Sequence, residues 1–191
     1  MNAKRAVKKY KALALLAVLL SISGQIHAQT NPAPRSWVAT WGASQQIPEP
    51  ANALPAVDPR DVTVRQIFHL SVGGPELRVH VSNAFGTEAL HFTAVHIARP
   101  LSPHSSAIDP PTDRALSFAG ASDVTVPPGA EFISDPIPYP VEPSSDLAVT
   151  FYLESLPASQ TGHPGSRATS YFVHGDAVSS PALADAAKVD H

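Results

Sequence analysis

Cysteine is absent from the 191 residues and methionine occurs once. No disulfide can staple this chain and no zinc site can be built on thiolates, so its stability must come from an apolar core. Charge is scarce as well: Asp, Glu, Lys and Arg make up 15% of the chain, against the ~25% usual in globular proteins. Five of the 13 basic residues, Lys4, Arg5, Lys8, Lys9 and Lys11, stand at the very start, which leaves 8 against 16 acidic side chains. An acid-dominated remainder argues against nucleic acid and anionic membrane surfaces as partners. Long apolar runs are missing too. The segment Ala12 to Leu20 has nine such residues, well short of the ~20 that span a bilayer.

What is present begins with that segment. A basic start, a short apolar core and a polar stretch ending Ile26-His27-Ala28 have the form of a secretory signal peptide cleaved after Ala28. The expected location is periplasmic or secreted, with no membrane attachment after cleavage. Cleavage would leave 163 residues, enough for one domain with a real core and too few for two ordinary ones. Residues 29–36 read as a flexible leader, 37–176 as the domain, and the alanine-rich, polar 177–191 as a linker or disordered tail.

The 20 prolines are about twice the average share and favour strands and rigid turns over long helices. The clearest pattern runs from Val62 to Gly86. Val62, Val64, Phe68 and Leu70 share a face interrupted only by Gln66, and Leu77, Val79 and Val81 alternate with Arg78, His80 and Ser82. A period of two is that of a strand with one buried face. The Gly73-Gly74-Pro75 link suggests a hairpin. Further strands are expected at Trp37 to Ser44, Leu90 to Ala98, Leu116 to Ala119, Val124 to Val126, Glu131 to Ile137, Leu147 to Leu153 and Ala168 to Val173, with a long surface loop at Gln45 to Pro59. About nine short strands with turn signals between them predict an all-β fold, an antiparallel β-sandwich of jelly-roll-like form.

Candidate chemistry is sparse. His91 and His96 stand five apart, which on one strand puts them on opposite faces and denies them a shared ion, so neither metal nor other cofactor is expected. A nucleophile elbow G-x-S-x-G is half met at Gly42-Ala43-Ser44 and at Gly120-Ala121-Ser122, each lacking the second glycine. Asp58 with Asp61, and Asp109 with Asp113, read as turn or capping residues. The fragment Val126 to Glu131 is similar to part of a metal-binding cupin motif, but the histidines such a site needs are missing.

Seven stretches in order carry a resemblance. They are W-V-A-T-W-G-A-S from Trp37, V-R-Q-I-F-H-L-S-V-G-G from Val64, L-R-V-H-V-S-N-A-F-G from Leu77, R-A-L-S-F-A-G from Arg114, V-T-V-P-P-G-A-E-F-I-S-D-P from Val124, D-L-A-V-T-F-Y-L from Asp146 and T-S-Y-F-V-H-G-D from Thr169. Together they resemble the N-terminal β-domain of secreted bacterial SGNH hydrolases, the GDSL-like lipases and esterases. The resemblance implies that the catalytic serine of a G-D-S motif, the oxyanion donors and the D-x-x-H pair belong to a following α/β domain. Here Gly175-Asp176 precedes Ala177, and no aspartate has a histidine three places on. The expectation is therefore an accessory domain, truncated before the G-D-S motif and inactive alone, whose partner is an SGNH catalytic domain and whose ligand is an ester. The turn Ser82, Asn83, Phe85 and Gly86 would form the rim of the substrate cleft, and Trp37 and Trp41 a sugar or domain contact. The alternative is a free-standing carbohydrate-binding sandwich using the two tryptophans.

Overall fold

A computed structural model describes residues 36–50 and 58–190. The expected signal peptide and nearly all of the expected leader lie outside the described residues. The chain divides into a unit ending at Val38 and a unit from Ala39 onward; of the first, residues 36–38 are described and carry no strand. None of the described helices is long and apolar enough to cross a membrane.

The second unit is all-β and antiparallel. Its strands are β1 (Arg60–Leu70), β2 (Gly74–Leu77), β3 (His80–Ser82), β4 (Leu90–Phe92), β5 (Ala94–Ala98), β6 (Arg114–Ala115), β7 (Val124–Val126), β8 (Glu131–Ile133), β9 (Ile137–Val141), β10 (Ser145–Ser155), β11 (Thr169–His174) and β12 (Ala187–Asp190). One layer is a six-stranded sheet in the order β12-β11-β1-β10-β5-β6, and the other is made of the pairs β2-β9, β3-β8 and β4-β7. Among the described residues twelve strands stand where about nine were expected. Thr93 splits the expected Leu90 to Ala98 strand into β4 and β5, which pair with β7 and β10 in opposite layers.

Alternation decides which face each strand buries. Val62, Val64, Phe68 and Leu70 of β1 meet Leu147, Val149 and Leu153 of β10 and Phe172 of β11 in the core, and Leu77, Val81, Leu90, Val126 and Val141 close it from the other layer. The four β1 side chains alone supply on the order of 6 to 12 kcal/mol of gross burial energy. Gln66, the interruption on that face, donates to the Ser170 hydroxyl at 3.0 Å, which satisfies its amide inside the core.

The hairpin expected at Val62 to Gly86 does not form. β1 pairs with β10 and β11, while β2 pairs with β9. Two runs that each bury one face can meet edge to edge or face to face, and here they meet face to face across the core. The link crosses between layers at Gly73, where a Cβ would lie 2.6 Å from the Val141 carbonyl and 2.7 Å from Pro143 Cδ. Only glycine fits that approach.

Other segments also differ from their sequence reading, and the strand expected at Leu116 to Ala119 is replaced by β6, which ends at Ala115. Residues around Thr40 are not a strand. The Thr40 carbonyl accepts from the Ser71 amide at 3.0 Å, and its hydroxyl bonds both the amide and the carbonyl of Val72, so side-chain bonds replace a ladder. Residues 177–190, expected as linker or tail, are folded: Val178 and Leu183 are buried, and β12 extends the six-stranded sheet beyond β11. The sequence signal was weak because this segment alternates only over its last four residues. A second, smaller apolar cluster forms there, with Leu183 packing alongside Ile67, Ala98, Ile108, Ala148 and Tyr171 on the outer face of the large sheet.

Candidate functional site

The expected rim lies just after β3. Asn83 there is fully buried. Its side-chain amide donates to the Glu88 carbonyl at 2.8 Å and the Val126 carbonyl at 2.9 Å, and its own carbonyl accepts from Gly129 at 2.9 Å. Asn83 therefore ties its turn to the end of β7 and to the Pro127-Pro128-Gly129 turn, while its buried Oδ1 has no hydrogen-bond partner. Gly86 follows from it: a Cβ there would sit 1.7 Å from Asn83 Oδ1. Both residues build the turn.

Ser82 and Phe85 face outward from that turn. The Ser82 hydroxyl donates to Gln45 Oε1 at 2.6 Å and has Glu131 Oε1 at 3.1 Å, while Gln45 Nε2 donates to the same Glu131 oxygen at 2.6 Å. The Phe85 amide donates to the Thr161 hydroxyl at 2.9 Å, and Gln46 and Gly162 exchange backbone hydrogen bonds. Three distant segments, 41–47, 82–86 and 161–163, are thus tied into one polar platform. Beside its bonds stand exposed Ile47, Phe85 and Phe132. Gln45, Glu131 and Thr161 were not legible as site residues, because no periodicity or motif marks them and only the tertiary fold brings them together.

The tryptophans have different settings. Trp41 packs on the core with its ring 4.3 Å from that of Phe68 and 5.7 Å from that of His163. Trp37, in the other unit, is 44% exposed.

Histidines pair with aspartates rather than with one another. The pairs are His69 with Asp146 at 2.8 Å, His91 with Asp123 at 3.3 Å, His96 with Asp113 at 2.9 Å and His174 with Asp61 at 3.5 Å. Among the described residues no three His, Asp or Glu side chains are grouped to hold a metal ion. Of the carboxylates read as turn residues, Asp58 accepts from the Arg60 guanidinium and amide, which hold its carboxyl down at about 2. Asp61 instead accepts from the Tyr152 hydroxyl at 2.9 Å, and this bond raises the Tyr152 phenol above its ordinary value. A shallow cleft of about 250 Å³ opens nearby between Asp58, His174 and Asp185, floored by Val62 and Phe172.

Of the two half-elbows, Gly42-Ala43-Ser44 is irregular chain and Gly120 lies in a turn. Gly120 takes a positive φ of 84°, and its amide, with that of Ala119 and the Ser117 hydroxyl, donates to the Asp135 carboxylate. These donors, the Ser117 hydroxyl foremost, lower the Asp135 pKa. The turn thus spends its amides on a structural aspartate.

Comparison with models of known protein families returns no match to this chain, and none of the curated proteins matches it.

Proposed function

We propose that this chain is the accessory β-domain of an exported SGNH-type ester hydrolase, with its platform at Gln45, Ser82, Phe85 and Thr161 bordering the cleft of a catalytic α/β partner. The observation that carries this reading is the placement of the resembling segments. Those from Val64, Leu77, Arg114, Val124, Asp146 and Thr169 supply most of β1 and all of β3, β6 to β8 and β11, with most of β10, in one antiparallel sandwich. The rim narrows to Ser82 and Phe85, because Asn83 and Gly86 are spent on the turn. Catalysis needs a nucleophile, a base and oxyanion donors held together, and the four described His–Asp pairs join strands and turns across the fold instead.

The test is hydrolysis of p-nitrophenyl acetate by the purified protein, alone and with an SGNH catalytic domain encoded beside it. Alone, the rate stays at background. The mixture forms a one-to-one complex on sizing, and Phe85→Ala weakens it. Turnover by the isolated chain that a serine-directed phosphonate abolishes would overturn the proposal, as would two proteins that elute separately.

The carbohydrate-binding alternative finds no support at Trp41, whose ring is engaged by Phe68 and His163.

A further inference from the structure

The outer face of the large sheet carries a feature that neither reading uses. Strand register places His96 opposite Thr150, Thr150 opposite Arg65, Arg65 opposite Tyr171 and Tyr171 opposite Lys188. Directly opposed residues share a face, so five polar side chains from five strands form one row across the sheet.

The middle of this row is buried. Arg65 is fully buried, and Tyr171 is 6% exposed. A buried guanidinium ordinarily takes a carboxylate partner. Arg65 has only neutral acceptors: Thr150 Oγ1 at 2.8 Å and the carbonyls of Ser106 at 2.5 Å, Ser180 at 2.9 Å and Val178 at 3.3 Å. The nearby carboxylate, Asp113, is taken by His96. Beside Arg65, the buried Tyr171 hydroxyl has no hydrogen-bond partner, one of five buried side-chain polar atoms so placed among the described residues. Two independent departures from ordinary burial thus meet at adjacent positions, a cation without an anion and a donor without an acceptor.

The cover over them comes from loop 100–108 and from segment 177–186, joined by the Ile108 amide to the Pro181 carbonyl at 2.8 Å and by Ser106 Oγ to Leu183. Val178 and Ser180 present two carbonyl oxygens to one guanidinium nitrogen, while Leu183 fills the apolar space beside Ile67, Ala98, Ile108 and Ala148. An oxygen pair next to an aliphatic group has the chemistry of an alkyl carboxylate.

We propose that the row centred on Arg65 and Tyr171 is a binding site for an alkyl carboxylate, occupied in this conformation by the chain's own 177–186 segment. A bound carboxylate takes the Arg65 Nη2 hydrogen bonds that Val178 and Ser180 accept here and one from Tyr171, and its chain takes the place of Leu183. The inference does not rest on the hydrolase reading.

Titration of the full chain with octanoate tests it, followed by calorimetry and by backbone hydrogen exchange. Methyl octanoate serves as the uncharged control and inorganic phosphate as the anion without a chain. Octanoate should bind saturably, one per chain, and speed exchange across 177–190 while leaving β1 and β10 protected. Leu183→Ala, which weakens the competing segment, should tighten binding about tenfold or more. Arg65→Met, matched in length and apolar, should weaken it at least tenfold. Tyr171→Phe should weaken it about fivefold, and it provides the test at this row if Arg65→Met does not fold. The proposal is overturned if neither the wild type nor Leu183→Ala binds octanoate, if methyl octanoate or phosphate binds as well, or if Tyr171→Phe and a folded Arg65→Met both keep full affinity.

Discussion

Gly86→Ala should destabilise the fold by about 2 to 5 kcal/mol, although position 86 lies on a turn. The added methyl would stand 1.7 Å from Asn83 Oδ1, so the Asn83 side chain must leave its place. Leaving breaks the bonds from its amide to the partly buried carbonyl of Glu88 and the buried carbonyl of Val126, and a buried carbonyl left unpaired costs about 1 to 3 kcal/mol. Asn83→Ala loses the same two bonds and carries a similar cost. In the double variant the obstruction is already gone, so Gly86→Ala should add no more than about 0.5 kcal/mol. Urea denaturation of the four proteins measures this cycle. With a slope of roughly 2 kcal/mol per molar, each single variant moves the midpoint down by about 1 to 2.5 M, and the double variant moves it no further. Costs that add within about 0.5 kcal/mol, or a Gly86→Ala midpoint equal to wild type, would refute the close-approach argument.

Gly73→Ala should cost a comparable amount, about 2 kcal/mol or more, because its Cβ meets the Val141 backbone and Pro143 rather than a flexible side chain; a wild-type melting temperature would contradict the proposed crossing. Trp41→Ala should cost about 2 to 3 kcal/mol, below the 3 to 5 of a fully buried aromatic, and wild-type tryptophan emission should stay unchanged on addition of soluble polysaccharides, a large shift in Trp41 emission being the contrary result. Asp135 has its folded pKa lowered below 3.8 by the donors of the Gly120 turn, so its contribution is present above that value and is lost as pH falls through the folded pKa. Asp135→Asn should therefore be less stable than wild type at neutral pH and lose less of its remaining stability on acidification, as urea midpoints measured at pH 7 and below pH 4 would register.

Alternation made the inward faces of β1, β10 and β11 readable, since each buries one side against a single core. It could not say which strand lies beside which. β1 and β2 have the same pattern whether they pair along their edges or face each other across the core, and a glycine link permits both. The outer face of β1 was harder to read for a different reason. Thr63, Arg65 and His69 look like the solvent side of a half-buried strand, yet Thr63 and Arg65 are fully buried, covered by loops that sequence marks only as proline-rich or alanine-rich. At the candidate rim, the dipeptide Asn83-Ala84 and the glycine after Phe85 correctly announced a turn. Burial separated Asn83, which holds the turn, from Ser82 and Phe85, which its surface presents.

The central position of β1 also constrains the order in which the molecule can assemble. Val64 pairs with Phe151 on one side and with Phe172 on the other, so the strand finds its first neighbour only once the chain has reached β10 and its second only once it has reached β11. At the ~5 to 20 residues per second of synthesis, the first strand waits several seconds or longer with its apolar face unpaired. Such a chain has little local structure to form early and folds late, as a whole.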